Sequence, residues 1–124
     1  MPYNRELDAL IAERVMGLEV VKNKKGGWSI GPADYYDSYG EMIMYNRLPN
    51  YSYDIAAAWE VVEKLRNKTT AVSLATLWDQ SLDKMQWIAK VEFWGTDKFE
   101  FAVADEAPEA IALVSLKAME VKNG

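Results

Sequence analysis

Apolar residues near the start of the chain recur at steps of three and four positions. These positions are Leu7, Leu10, Ile11 and Val15. Such spacing is typical of an amphipathic helix, because it places all four side chains on one face. Asn4 precedes the run as a candidate N-cap, and Gly17 follows it as a residue that readily adopts a left-handed conformation. The pattern predicts a first helix between these two residues.

Two further segments have helical character. In the first, Ser52 is the candidate cap and Asp54 adds negative charge at the first turn. The apolar stripe expected to face the core is Ile55, Trp59, Val62 and Leu65, and the helix is expected to end near Arg66. Pro108 is favoured at a first helical position and opens the second segment. The apolar residues of this last helix spread widely around its axis, which predicts a well-buried helix.

The remaining regular segments favour β-structure. Leu18–Val21 and Trp28–Ile30 are short β-favouring runs joined by a turn-rich connection, so we expect a hairpin. Between residues 31 and 51 only Glu41–Tyr45 resembles a strand, and the rest is expected to be an ordered loop. Residues 69–78 are rich in β-branched side chains. The alternating apolar positions further on are Met85, Trp87, Ala89, Val91 and Phe93, and then Phe99, Phe101 and Val103.

The order of the predicted elements is helix, strands, helix, strands, helix. Because the later strands are joined by short turns and not by crossover helices, the sheet is expected to be antiparallel. The fold class is therefore predicted to be α+β, with an antiparallel sheet of hairpin-linked strands and about three helices on its faces. At 124 residues, the chain is expected to form one domain over residues 1–124.

Composition narrows the chemistry. The chain has no Cys and no His, which removes thiolate nucleophiles, disulfides and the usual general base and transition-metal ligand. We therefore expect no catalytic residues, no metal site and no cofactor. A net charge of −5 disfavours DNA and RNA, whose binding depends on cationic contacts with phosphates. No apolar run approaches the roughly 18 residues of a membrane helix, and no signal peptide precedes the first helix. We expect a cytosolic protein with no membrane contact.

Aromatic residues gather around one long loop and the start of the second helix. The candidate ligand-binding residues are Trp28, Tyr35, Tyr36, Tyr39, Arg47, Tyr51, Ser52, Tyr53 and Asp54. Aromatic planes can stack on a base, a guanidinium can pair with a pyrophosphate, and a helix amino terminus favours an anion. The competing interpretation is that the tyrosines only hold the loop against the sheet.

Three weaker patterns are better explained by surface structure. A lysine-rich turn beside Gly26 and Gly27 could contact phosphate, yet an exposed hairpin turn uses the same residue types. The acidic residues of the long loop match no known calcium loop; they are Asp34, Asp37 and Glu41. Glu60 and Glu63 lie on one helix and are expected to be exposed.

The tryptophans suggest self-association. Trp59 lies on a helical apolar stripe and Trp87 on the apolar face of a strand, so both are expected in the core. Trp78 and Trp94 lie at strand ends, on or near the opposite face. Because exposed tryptophans are costly, we expect another subunit to bury them, and the sequence predicts a homo-oligomer.

Three stretches resemble the phage α/β/α sandwich domain family of phages and prophages. They are Asp8–Gly17, Pro49–Leu65 and Ala104–Ile111 with Leu116–Ala118, and they follow the order of the family. The resemblance implies helices on both faces of a sheet and localisation in the host cytoplasm. It implies no particular reaction.

The resemblance and the aromatic loop suggest three functions. Several small phage proteins sequester nucleotide-derived immune signals, such as cyclic ADP-ribose isomers or cyclic dinucleotides, and this protein is similar to them in kind. We therefore expect a non-enzymatic protein that binds such a signal and counters host defence. The alternative is a protein-interaction module that blocks a host protein, since aromatic surfaces are also typical of protein interfaces. A hydrolase that uses carboxylates alone is the least favoured function.

Overall fold

The computed structural model describes residues 4–22, 28–30, 46–67 and 70–123, with only the backbone of residues 46, 47, 122 and 123. Helix α1 (Arg5–Leu10) continues as a π-helical turn over Ile11–Val15. The Asn4 side chain accepts a hydrogen bond from the Leu7 N–H at 3.1 Å. Gly17 has a φ of +71°, a conformation that favours glycine. Both ends predicted for the first helix are confirmed.

A small antiparallel sheet follows, with strand order β1-β2-β3. Its strands are β1 (Val20–Lys22), β2 (Trp28–Ile30) and β3 (Asn46–Arg47). The pairing of β1 with β2 confirms the first predicted hairpin. The expected strand Glu41–Tyr45 lies outside the described residues, as do the turn expected over residues 23–27 and most of the expected aromatic loop.

The larger sheet contains β4 (Thr70–Asp79), β5 (Lys84–Phe93) and β6 (Phe99–Ala104), in that order. Both neighbouring pairs are antiparallel. Helix α2 (Ile55–Leu65) precedes this sheet and helix α3 (Ala107–Asn123) follows it. The fold class predicted from the sequence, α+β with hairpin-linked antiparallel strands and three helices, is confirmed.

The two faces of the large sheet differ sharply in burial. One face carries Ala89 and Val91 on β5 and Ala102 and Ala104 on β6, and all four are buried in the core. α3 packs against these two strands and α2 against β4. On the opposite face of β6 the larger residues are about half exposed; they are Phe99, Phe101 and Val103. The described helices therefore cover the face on which small side chains allow the helix backbone to lie close to the strands.

Two expectations for α2 are wrong. Asp54 is the N-cap, because its carboxylate accepts the Ala56 N–H at 3.0 Å, whereas the Ser52 N–H points back toward α1. Trp59 is not in the core: it is 51% exposed, and Ile55 is similarly exposed. The residues of α2 that are buried are Ala57, Ala58, Val61, Val62 and Leu65. Ala57 and Ala58 lie on the packed face, where their small side chains allow close contact with α3.

The tryptophans of the large sheet divide between core and surface. Trp87 is partly buried and packs against the core, as expected. Trp78 lies opposite Met85 in the β4–β5 register, so it shares the face of Trp87 and not the opposite face. β6 ends opposite Trp87. The β4–β5 hairpin therefore extends beyond the third strand, which leaves Trp78 and Met85 each 52% exposed.

The difference between the faces predicts unequal effects of the same truncation. Val91 is fully buried, whereas Val103 is 38% exposed on the other face. Val91→Ala removes two buried methyl groups and is expected to lower the free energy of unfolding by roughly 2 kcal/mol. Val103→Ala should lower it by well under half as much. Urea denaturation of both variants measures the difference, and equal losses would contradict the assignment of the buried face.

Candidate functional site

An ion pair joins α1 to the segment before α2. Arg5 Nη1 lies 2.8 Å from Oδ2 of Asp8, whose side chain is fully buried. The other carboxylate oxygen of Asp8 accepts the Ser52 N–H at 2.8 Å. Arg5 Nη2 also donates to the Leu48 carbonyl at 2.6 Å, and Nη1 donates to the side chain of Asn50. We call this network, made by Arg5 and Asp8 with residues 48–52, the Arg5–Asp8 clamp.

Two of the predicted ligand-binding residues, Tyr51 and Ser52, are buried in or next to the clamp and have structural contacts. Ser52 is buried, and its hydroxyl donates to the Asn4 carbonyl at 3.4 Å. Tyr51 is 1% exposed and belongs to the hydrophobic core. Burial raises the pKa of the Tyr51 phenol, and the negative charges of Glu60 and Asp8 act in the same direction. These positions match the interpretation in which the segment is held to the domain.

The other predicted ligand-binding residues have separate positions. Trp28 is partly buried against the core, and the ammonium of Lys22 lies 5.1 Å from the centre of its ring. Arg47 lies in β3 opposite Ser29, and only its backbone is described. Tyr53 is 48% exposed, and Asp54 caps α2. Three of the candidates lie outside the described residues, namely Tyr35, Tyr36 and Tyr39.

A second candidate site, which the sequence did not indicate, lies between α2 and the start of β4. It is an open groove of about 1210 Å³, part of which is open solvent. We call it the α2–β4 groove; its lining residues are Trp59, Val62, Glu63, Arg66, Asn67, Thr70, Ala71, Val72 and Trp94. Two aromatic planes therefore border it, with Trp59 51% and Trp94 67% exposed. A smaller cleft nearby is lined by Val15, Leu65 and Met119.

The groove also contains charged groups. Arg66 Nε lies 3.1 Å from Oε2 of Glu63, and both side chains are more than half exposed. Exposed pairs of this kind contribute little to stability, so the guanidinium can exchange its partner for a bound anion at low cost. The groove thus combines stacking surfaces with a cation. Exposure of Trp94 was expected from its position at a strand end, whereas the helical spacing of Trp59 wrongly placed that residue in the core.

Acidic residues form no cluster suited to a cation in the part of the chain that is described. The candidate oxygen ligands Asp34, Asp37 and Glu41 lie outside this part. Among the described helices, none has the length and apolar character needed to cross a membrane.

The clamp predicts a large effect of losing the buried carboxylate. Asp8→Ala leaves Arg5 without a counter-ion and the Ser52 N–H without its acceptor, and should lower the free energy of unfolding by roughly 3 kcal/mol. Glu6→Ala is the matched control, since Glu6 is exposed on the same turn of α1, and should change it by less than about 0.5 kcal/mol. Chemical denaturation compares the two. A loss no greater for Asp8→Ala than for Glu6→Ala would show that the clamp contributes nothing.

Tyr51 predicts a pH dependence at alkaline pH. Its pKa in the folded state is raised above the ordinary value of 10.0. The contribution of Tyr51 to stability is therefore complete below about pH 10 and is lost as the pH rises through the folded-state pKa. Tyr51→Phe should reduce the alkaline loss of stability, measured by urea unfolding at about pH 8 to 11. Tyr53→Phe serves as the control, and an identical alkaline loss in Tyr51→Phe and wild type would contradict the prediction.

Comparison with known proteins identifies a family and a similar solved structure. The model of the family described as the phage ABA sandwich domain matches residues 9–116. The chain is similar to a phage protein from Bacillus cereus ATCC 14579 with a 2.0 Å crystal structure, with a TM-score of 0.59 and 24% sequence identity over 94% of this chain and 89% of that one. This likeness shows the fold alone. No curated protein matches the sequence. Because the family match spans most of its length, the chain belongs to the phage ABA sandwich domain family.

Proposed function

We propose that the protein is a non-enzymatic binding protein that sequesters a small nucleotide-derived signal in the α2–β4 groove and so counters a host defence. The observation that carries this proposal is the placement of Trp59, Trp94 and Arg66 around one open groove. Aromatic side chains can stack on any nucleobase, and a guanidinium pairs with phosphate oxygens in a fixed geometry. Membership of a phage family is consistent with a role during phage infection, but it does not identify a ligand.

The chemistry of the groove favours holding a ligand over transforming it. Neither His nor Cys occurs in the chain, so the groove contains no imidazole or thiol. Stacking and ion pairing need no proton transfer. A role in sequestration therefore uses the two indole rings and the guanidinium that border the groove.

The first experiment is a calorimetric screen of the wild-type protein against ADP-ribose, cyclic ADP-ribose and cyclic dinucleotides. Trp59→Ala and Arg66→Gln are each expected to weaken the affinity for the molecule that binds by about tenfold, since stacking on one aromatic residue is worth roughly 1–3 kcal/mol. Val103→Ala is the matched control, because Val103 is exposed on the outer face of β6, away from the groove. It should leave binding unchanged.

Further variants separate the groove from the loop predicted as the site by the sequence. Tyr35→Ala and Tyr39→Ala leave affinity unchanged if the groove is the site. Loss of binding in these variants, with normal binding in Trp59→Ala, would transfer the site to the loop. No binding of any molecule in the screen at millimolar concentration would contradict sequestration of this ligand class.

A second candidate function is a protein-interaction module that blocks a host protein. The outer face of β6 favours it, since Phe99, Phe101 and Val103 lie side by side and exposed. Lys90 contributes charge there, with its ammonium 4.7 Å from the centre of the Phe99 ring. Mixed aromatic and cationic surfaces are typical of protein interfaces. Recovery of one stoichiometric host protein that Phe101→Ser fails to retain would favour this function over sequestration.

A further inference from the structure

The two edge strands of the large sheet, β4 and β6, differ in how well they are protected against pairing with another strand. At the β6 edge, the ammonium of Lys117 on α3 donates to the Phe101 carbonyl at 3.0 Å and lies 5.8 Å from the centre of the Phe101 ring. A lysine at this place occupies an edge acceptor that another strand could use. The β4 edge has no such protection within its own sequence. From Thr70 to Trp78 the strand contains neither proline nor a charged residue.

The register shows which backbone groups of β4 face this open edge. The N–H and C=O of Thr70 both bond to Asn67, at 3.4 and 3.2 Å, so they point away from β5. Because backbone groups alternate in direction along a strand, those of Val72, Leu74, Thr76 and Trp78 also point away from β5. Among the described strands, β4 pairs with β5 alone. In the described part of the chain, four alternate residues of β4 therefore present backbone donors and acceptors that no described strand uses.

We infer that two copies of this chain pair antiparallel through β4, and that Trp78 of the partner subunit closes the α2–β4 groove. This inference rests on the proposed function for the role of the groove, whereas the pairing stands by itself. A two-fold axis at Ala75 places Val72 opposite Trp78 of the partner subunit and Leu74 opposite Thr76 of the partner subunit. This register uses all four free residues and leaves Thr70 bonded to Asn67.

The register also explains why Trp78 is exposed in the single chain. Residues opposite each other in an antiparallel pair share one face of the sheet, and Val72 lines the groove on the side of α2. The indole of Trp78 of the partner subunit therefore lies beside the groove, near the half-exposed Trp59. The axis repeats this contact at the second groove. Each site gains a wall that the single chain lacks, as sites for small ligands require when they bury most of the ligand.

Charge substitution at the axis tests the pairing and its register. The side chain of Ala75 is exposed and meets Ala75 of the partner subunit at the axis, so Ala75→Lys places two like charges opposite each other. Wild type is expected to be a dimer by analytical ultracentrifugation at about 100 μM, a concentration at which even a weak micromolar dimer is filled. Ala75→Lys and Ala75→Glu should each be monomers. An equimolar mixture of the two variants should again form a dimer.

Two control variants and three possible results decide whether β4 pairs in this way. Val103→Lys and Val103→Glu introduce the same charges on the exposed face of β6 and should leave the dimer intact. A monomeric wild type would overturn the inference. So would Ala75 variants that remain dimers, or a mixture that stays monomeric.

The contribution of Trp78 is tested with ADP-ribose or whichever molecule of the screen binds the wild type. Trp78→Ala should remain a dimer, since the backbone pairing is intact, and should lose about tenfold in affinity. Met85→Ala, a change at the residue opposite Trp78 in its own hairpin, is the control. Full affinity in Trp78→Ala or in the monomeric Ala75→Lys would overturn closure of the groove by the partner. A dimer that binds nothing would contradict the proposed function and leave the pairing intact.

Discussion

Close packing of the helices against one face of the large sheet is the constraint on which the rest of the structure depends. Ala89 and Ala102 have little side-chain volume, so α3 can lie directly over β5 and β6 with almost no exposed surface between them. With the core on this face, the outer stripe of α2 remains on the surface. The edge of β4 remains unpaired in the described part of the chain. The groove results from this one-sided core, whereas the free edge results from the position of β4 at the end of the strand order.

The Arg5–Asp8 clamp provides hydrogen-bond partners for a segment that has no regular structure. A segment without regular structure has backbone groups that need partners when it is buried, and residues 48–52 obtain several of theirs from Arg5 and Asp8. The clamp also places Asp54 at the start of α2, and so sets the position of Trp59 beside β4. A partly buried ion pair is therefore used here to position a helix and, through it, one wall of the groove.

Much of the fold was predictable because local patterns and tertiary contacts agree. Asn4 and Gly17 bound the first helix as expected, and the alternation along β5 identified the buried face through Ala89 and Val91. The site was less predictable. The spacing of Ile55 and Trp59 fits a core-facing stripe as well as Ala57 and Val61 do, and only packing against α3 decides which stripe is buried. Likewise, Tyr51 looks like a binding residue until its contacts place it in the core.

Amide hydrogen exchange, resolved by residue in NMR spectra of dilute and concentrated protein, tests most directly the claim that β4 has a free edge used for pairing. The N–H groups of Ser73 and Leu77 point toward β5 and should be protected at both concentrations. Those of Leu74 and Thr76 should exchange rapidly in dilute protein and become protected in concentrated protein. Rapid exchange of Leu74 and Thr76 at every concentration, or protection of both in the monomer, would contradict the account.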